Sequence, residues 1–144
     1  MNQSTLTHTA LIILRVIAGF IFTAHGLQKF MEFTIAGTQA AFAQMGVPAA
    51  PVIAPVVATL EVAGGMALIA GILARVFAAL LAMDMLGALI LVHAPAGIFV
   101  DKGGFEFVLA LAAAALAIAL TGAGRFSADA ALFGRSTSKL SVLA

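Results

Sequence analysis

Residues 51–92 read PVIAPVVATLEVAGGMALIAGILA, then a single Arg75, then VFAALLAMDMLGALILV. Each apolar run is long enough to cross a bilayer as a helix, because about 17–25 mostly apolar residues suffice. Since only Arg75 separates the two runs, the sequence predicts a tight antiparallel hairpin of spanning helices over about 51–74 and 76–92.

Two further apolar blocks flank this hairpin, over about 9–30 and 105–122. Backbone groups inside a bilayer must pair within their own segment, so all four blocks are expected to be helices. The sequence therefore predicts an all-α membrane protein, in which residues 1–124 form an antiparallel bundle of four transmembrane helices.

The composition agrees with this fold class. Of 144 residues, 63% are hydrophobic and 9% are charged, whereas soluble domains have roughly 45–50% and about 25%. A soluble domain of this length could not bury so much apolar surface. Seven scattered basic residues against six acidic ones predict no nucleic-acid partner. Because cysteine is absent, thiolate and iron–sulfur chemistry are excluded, and electrons would need a bound molecule or a partner.

The distribution of Lys and Arg between the connections predicts the orientation, since cytoplasmic loops are enriched in both. One side carries Arg75, Arg125, Arg135 and Lys139, and the other carries Lys29 and Lys102 beside acidic residues. Both termini are therefore expected to be cytoplasmic, with residues 125–144 as a cytoplasmic tail. The first block lacks the basic start of a signal peptide, so we expect a retained helix. In the longer outer connection, residues 39–44 are predicted to form a short interfacial or re-entrant helix.

Three ionisable residues lie where a bilayer penalises them. Such a residue costs about 2.5–3.5 kcal/mol on insertion scales, so it is expected to face the bundle interior beside a partner. Glu61 and Asp84 fall near the midplane, and the long side chain of Arg15 is expected to reach one of them. One excess negative charge would remain if all three were charged, so we predict that one of the two carboxyls is protonated at neutral pH or shares Arg15.

Helical periodicity predicts one polar face for each helix, lined by small residues that allow close approach in lipid. The predicted faces, one for each of the four helices in chain order, consist of Arg15, Gly19, Phe22, Gly26 and Lys29; Ala54, Ala58, Glu61 and Gly65; Asp84, Gly87 and Ala88; and Glu106, Ala110, Ala113, Ala117 and Thr121.

A second polar cluster is predicted at the outer ends of the helices, comprising His25, Lys29, His93 and Glu106, with Asp101 and Lys102 nearby. Lys29 and Glu106 are an expected ion pair. His25 and His93 could hold a metal or haem from opposite helices, but two histidines are too few to specify either, so no metal site is predicted.

A purely structural interpretation competes with these assignments. The pairing of Arg15 with Glu61 could fix only which helix packs on which. The outer charges could simply extend to lipid headgroups.

Several motifs resemble the DoxX family of small bacterial membrane proteins. They are RVIAGFIFTAHGLQKF over 15–30, ATLEVAGGMALIAGILAR over 58–75, GGFE over 103–106 and TGAGRFSAD over 121–129. The resemblance covers nearly the whole chain and implies a four-helix membrane bundle in the bacterial inner membrane. It also implies a subunit of a membrane oxidoreductase, with relatives linked to quinone chemistry and to defence against oxidative and thiol stress.

The resulting functional hypothesis is a redox subunit that binds a quinone-like molecule in its polar interior. Glu61 and Glu106 are the candidate proton-transfer residues. Candidate binding residues are Arg15, His25, Lys29, Asp84 and His93. The expected partners are lipid, another membrane or peripheral redox protein and a second copy of the chain.

Two other classes stay open at this point. The chain could be a non-enzymatic scaffold or assembly subunit of a redox or stress-defence complex. It could also be a transporter of protons or a small solute, since charges near mid-membrane mark such pathways.

Overall fold

The computed structural model describes residues 2–133, and all regular secondary structure in this range is helical, with no β-strand. The α-helices in this range are α1 (Gln3–Met31), α2 (Thr34–Gln44), α3 (Ala50–Ala70), α4 (Ala74–Ala88), α5 (Glu106–Thr121) and α6 (Ala128–Phe133). The basic tail residues Arg135 and Lys139, which contributed to the predicted orientation, lie outside the described residues.

Three helical segments of the described range are long and apolar enough to cross a membrane. They are α1, α3 and residues 74–96, where α4 continues into irregular helical turns. The fourth predicted span corresponds to α5, an apolar helix of 16 residues. The all-helical fold class is therefore confirmed, and three of the predicted spans meet the length and hydropathy of a membrane helix.

The predicted hairpin of α3 and α4 is present and has a tight turn. Gly71 ends α3 with a φ of 70°, and Leu73 precedes α4 with a φ of 45°. Glycine suits the first position because it adopts positive φ without steric cost. No side chain next to Leu73 in sequence caps the start of α4. That cap comes from Asp129, whose carboxylate accepts bonds from the backbone N–H groups of Leu73 and Ala74 at 2.8 and 3.0 Å.

Glycines bring α1 and α3 into backbone contact. A Cβ atom added at Gly26 would come within 2.7 Å of the backbone nitrogen of Val62, and one at Gly19 would meet the carbonyl oxygen of Gly65. The earlier glycine of α1, Gly19, faces Gly65, whereas Gly26 faces Val62. The contacts therefore run in opposite order along the two helices, which are antiparallel. The predicted inward faces of these helices are confirmed, because Arg15, Phe22, Ala54, Ala58 and Glu61 are all buried.

The predicted face of α5 is wrong. Its buried residues are Val108, Leu111, Ala112, Ala115 and Ile118. The predicted residues Glu106, Ala110, Ala113 and Thr121 are exposed, and Ala117 is half-buried. This helix is apolar on nearly every side, so periodicity does not mark its inner face, and the position of Glu106 alone indicates the wrong one.

The upper end of the bundle is defined here as the end with α2 and the connection over residues 89–105. The predicted short helix is confirmed and is longer than expected, since α2 begins at Thr34. Gln39 of α2 donates to the carbonyl oxygen of Pro51 at 2.8 Å, which holds α2 over the start of α3. Beyond α4, residues Leu89–His93 form a wider π-helical turn, a feature often found at functional sites. The lower end is the opposite one, with the α3–α4 turn and α6.

Candidate functional site

A cavity of about 480 Å³ lies at the upper end of the bundle. Its wall is mostly apolar and includes Phe22, Val57, Met85 and Leu111. Five of the seven site residues expected from the sequence also line it: His25, Lys29, Glu61, Asp84 and His93. The tertiary structure thus brings residues from α1, α3, α4 and the π-helical turn to one space, called the polar cavity below.

The ion pair of the polar cavity joins Lys29 to Glu61. Their Nζ and Oε2 atoms are 2.5 Å apart, and the side chains are 15% and 4% exposed. A charge taken out of water needs a close partner, and here each residue supplies one to the other. The expected pairing of Lys29 with Glu106 is therefore wrong. Antiparallel packing of α1 on α3 puts Lys29 level with Glu61 instead.

Asp84 supplies a second carboxyl group to the polar cavity. Its Oδ2 atom is buried and has no hydrogen-bond partner in the described structure. Asp84 lines the polar cavity together with Glu61 and Lys29. A buried polar atom without a partner is costly, and such atoms often mark a functional or ligand-binding position. That one of the two carboxyls, Glu61 or Asp84, is protonated stays a prediction.

The two histidines lie at the rim of the polar cavity, each held by a backbone carbonyl. The Nδ1 atom of His25 is 2.9 Å from the oxygen of Ile21, and that of His93 is 2.7 Å from the oxygen of Gly103. Because a carbonyl oxygen only accepts, Nδ1 carries the hydrogen in both rings. In the neutral ring Nε2 is then an acceptor, so either histidine can accept a hydrogen bond from a ligand there.

The expected contact of Arg15 with a buried carboxyl of α3 or α4 is wrong. Its guanidinium donates to the carbonyl oxygens of Leu68, at 3.4 Å, and of Phe126. Leu68 is seven residues beyond Glu61, which is about 10 Å along a helix. Arg15 therefore ties α1 to the segment after α5 at the lower end, outside the polar cavity.

Glu106 also lies outside the lining of the polar cavity. It is exposed, and its Oε1 atom accepts a hydrogen bond from the backbone N–H of Val100 at 2.7 Å. As the first residue of α5, Glu106 has a side chain free to turn back toward the preceding connection. It orders residues 98–106 beside the cavity rather than entering it.

The sequence analysis did not assign a site role to the residues that close the upper side of the polar cavity. Phe42 and Met45 of the α2 region and Val47 after it line the upper wall. The signal was present, since Phe42, Met45 and Val47 are bulky apolar residues that stand among small ones in this connection. Asp129 was also missed, because a cap 55 residues away from its helix leaves no local pattern.

No group of three or more metal-ligating side chains occurs in the part of the chain that the structure describes. What the polar cavity offers is a set of acids, bases and hydrogen-bond donors in an apolar wall. Such an arrangement can orient a small molecule through its polar atoms and exchange protons with it.

Comparison with known proteins identifies related sequences. The DoxX family model matches residues 10–94, a range that contains all five polar residues of the cavity. The protein named "Putative oxidoreductase CatD" of Bacillus subtilis is 35% identical over 133 residues, which cover 92% of this chain and 92% of that protein. The uncharacterized membrane protein Rv3486 of Mycobacterium tuberculosis is 33% identical over 138 residues, covering 89% of this chain and 84% of that protein. No solved structure matches the chain.

Proposed function

The chain belongs to the DoxX family of membrane proteins, and from this we propose that it is a redox subunit that binds a quinone in the polar cavity. In this proposal α1, α3, α4 and α5 are four spans of a bacterial inner-membrane bundle with both termini in the cytoplasm. The relative from Bacillus subtilis is named as an oxidoreductase, which supports a redox role.

The observation that carries the proposal is the placement of an ion pair and an unpartnered carboxyl in an otherwise apolar cavity. The cavity volume of about 480 Å³ falls within the usual range for small-molecule sites, about 300–1,000 Å³. Such sites combine an apolar wall with a few polar groups that fix the orientation of the ligand. A quinone ring has this character, with two oxygens at opposite ends of an apolar ring.

The residues present fit such a ring. Lys29 has three N–H donors, and Glu61 accepts from one of them, so donors remain for a quinone oxygen. The Oδ2 atom of Asp84 has no partner among the described residues, and a ligand hydroxyl would supply one. The quinone, when bound, supplies reversible acceptance of two electrons and two protons.

In this proposal each side chain of the polar cavity has one task. Lys29 orients a ring oxygen, and Glu61 holds Lys29 in place. Asp84 and the Nε2 atoms of His25 and His93 hold and pass protons. Electrons come from a redox partner protein in this proposal. Arg15 and Glu106 have no part in the binding site.

An optical difference spectrum tests the proposal. The protein is purified gently with its native lipids, and the oxidised and chemically reduced samples are compared. We expect an ultraviolet quinone signal near one per chain. Glu61→Gln should lower that signal at least tenfold, because Lys29 loses its charged partner. Glu32→Gln makes the same change on an exposed residue at the upper end and should retain the signal.

Two outcomes would contradict the proposal. One is a flat spectrum that persists after quinone is added back to saturation and the unbound quinone is removed, which would favour a scaffold or transport role. The other is an equal signal from the Glu61→Gln and wild-type proteins. After the first of these outcomes, flux of a solute in proteoliposomes would distinguish a transporter from a scaffold.

A further inference from the structure

A second space, called the apolar groove here, lies along the seam between α1 and α5. Its volume is about 470 Å³, and every residue that lines it is apolar. Ile13 and Ile17 of α1 form one side, and Ala110 and Ala114 of α5 form the other. The alanines leave this space open, because a larger side chain at either position would fill it. The proposed function does not use this groove.

The apolar groove and the polar cavity share part of their wall. Phe107 and Leu111 of α5 line both spaces. Phe107 also lies beside His25, with ring centroids 5.7 Å apart, and His25 lines the polar cavity. The two spaces therefore meet at side chains, on adjacent faces of α5.

The register of α1 also connects the two spaces. Leu14, Ala18 and Ile21 line the apolar groove, and His25 follows at the same helical spacing of three or four residues. A single stripe of α1 thus runs from the groove to the cavity. From Ala10 to Ile21 the groove extends roughly 16 Å along the helix.

We propose that the apolar groove holds the hydrocarbon chain of the same molecule whose polar ring lies in the polar cavity. The ligand class is then an amphiphilic quinone with a long isoprenoid or alkyl chain. This inference rests on the proposed function and extends it, since it adds a subsite and selects among quinones by their chains.

The wall shared with the polar cavity favours the chain of the ligand over an unrelated occupant. An acyl chain of a bilayer lipid or a helix of a second copy would have no need to end at His25 and Phe107. A quinone chain must leave the cavity toward lipid, and the wall shared through Phe107 and Leu111 is where the groove begins. Lipid surrounds the chain when it is unbound, so close packing against the groove, rather than removal from water, favours its binding.

Binding of two quinones to the purified full-length protein in lipid nanodiscs tests the inference. One is a benzoquinone with a decyl chain, and the other has a methyl group in place of that chain. The variant is Ala110→Phe, which fills the groove from an exposed position of α5. Its matched control is Ala113→Phe, on an exposed position of the same helix that lines neither space.

We expect Ala110→Phe to weaken binding of the decyl quinone at least tenfold and to leave the methyl quinone unchanged. Ala113→Phe should change neither. Equal binding of the decyl quinone by Ala110→Phe and wild type would overturn the groove inference while the proposed function stands. An equal loss for both quinones would also overturn it. Failure of both quinones to bind the wild-type protein would contradict the proposed function and this inference together.

Discussion

The Nζ atom of Lys29 lies 2.5 Å from the Oε2 atom of Glu61, so an ion pair joins the last turn of α1 to the middle of α3. This pair sits in the wall of the polar cavity. The ion pair should also stabilise the fold independently of any ligand, because removing one partner leaves the other charge unpaired among apolar residues.

Lys29→Met is expected to lower the free energy of unfolding by about 3 kcal/mol, the lower end of what loss of one partner of a buried pair costs. The double variant Lys29→Met with Glu61→Met should recover most of this loss, because no unpaired charge remains. Unfolding in mixed micelles measures both. Lys102→Met, at an exposed position of the same end, is the control. A double variant as unstable as Lys29→Met would contradict this account.

Gly26→Ala is expected to destabilise the bundle by about 1–3 kcal/mol, because a methyl group there overpacks the α1–α3 contact. The added Cβ would lie 2.7 Å from the nitrogen of Val62 and 2.9 Å from the oxygen of Ala58, and backbone cannot move aside cheaply. At Gly87 an added Cβ meets nothing within 4 Å. Gly87→Ala should therefore gain up to about 1 kcal/mol from helix propensity. Equal effects at the two glycines would show that close packing does not matter at Gly26.

Asp129→Ala is expected to cost about 1–2 kcal/mol, because it removes the only side chain seen to cap α4 in the described structure. The loss should appear as earlier thermal unfolding. Amide hydrogen exchange should also become faster at Leu73 and Ala74, whose N–H groups lose their acceptor. Asp101→Ala removes an exposed acid from the opposite end and should leave exchange at these two amides unchanged. Protection at Leu73 and Ala74 that survives Asp129→Ala would disprove the cap.

Asp84→Asn is expected to weaken ligand binding without lowering the stability of the fold. Oδ2 has no hydrogen bond to lose, so the unfolding free energy should not fall. Binding of the reduced, hydroquinone form of the methyl quinone used above should weaken at least tenfold, which corresponds to about 1.4 kcal/mol, because an amide accepts a hydrogen bond from the ligand hydroxyl less strongly than a carboxylate does. Asp101→Asn is the matched control. Unchanged hydroquinone affinity in Asp84→Asn would remove this residue from the proposed site.

Much of this molecule was predictable from local features of its sequence. Hydropathy and length identified the helical segments, because a bilayer requires long apolar runs whose backbone groups pair internally. Polar residues among small ones marked the buried faces of α1 and α3, where Gly19, Gly26 and Glu61 are buried as expected. Five of the expected site residues line one cavity, where the residues expected near the midplane and those expected at the outer ends come together.

Only the tertiary structure decided which of these groups meet. Which side chains pair depends on how packed helices are aligned along their axes. Arg15 lies level with Leu68, seven residues beyond Glu61, so Glu61 contacts Lys29 and not Arg15. The inner face of α5 likewise depended on packing, since an evenly apolar helix has no periodic signal. The cap of α4 by Asp129 and the meeting of cavity and groove at Phe107 join residues distant in sequence. Hydropathy and spacing describe one segment at a time, and these relationships exist only between segments.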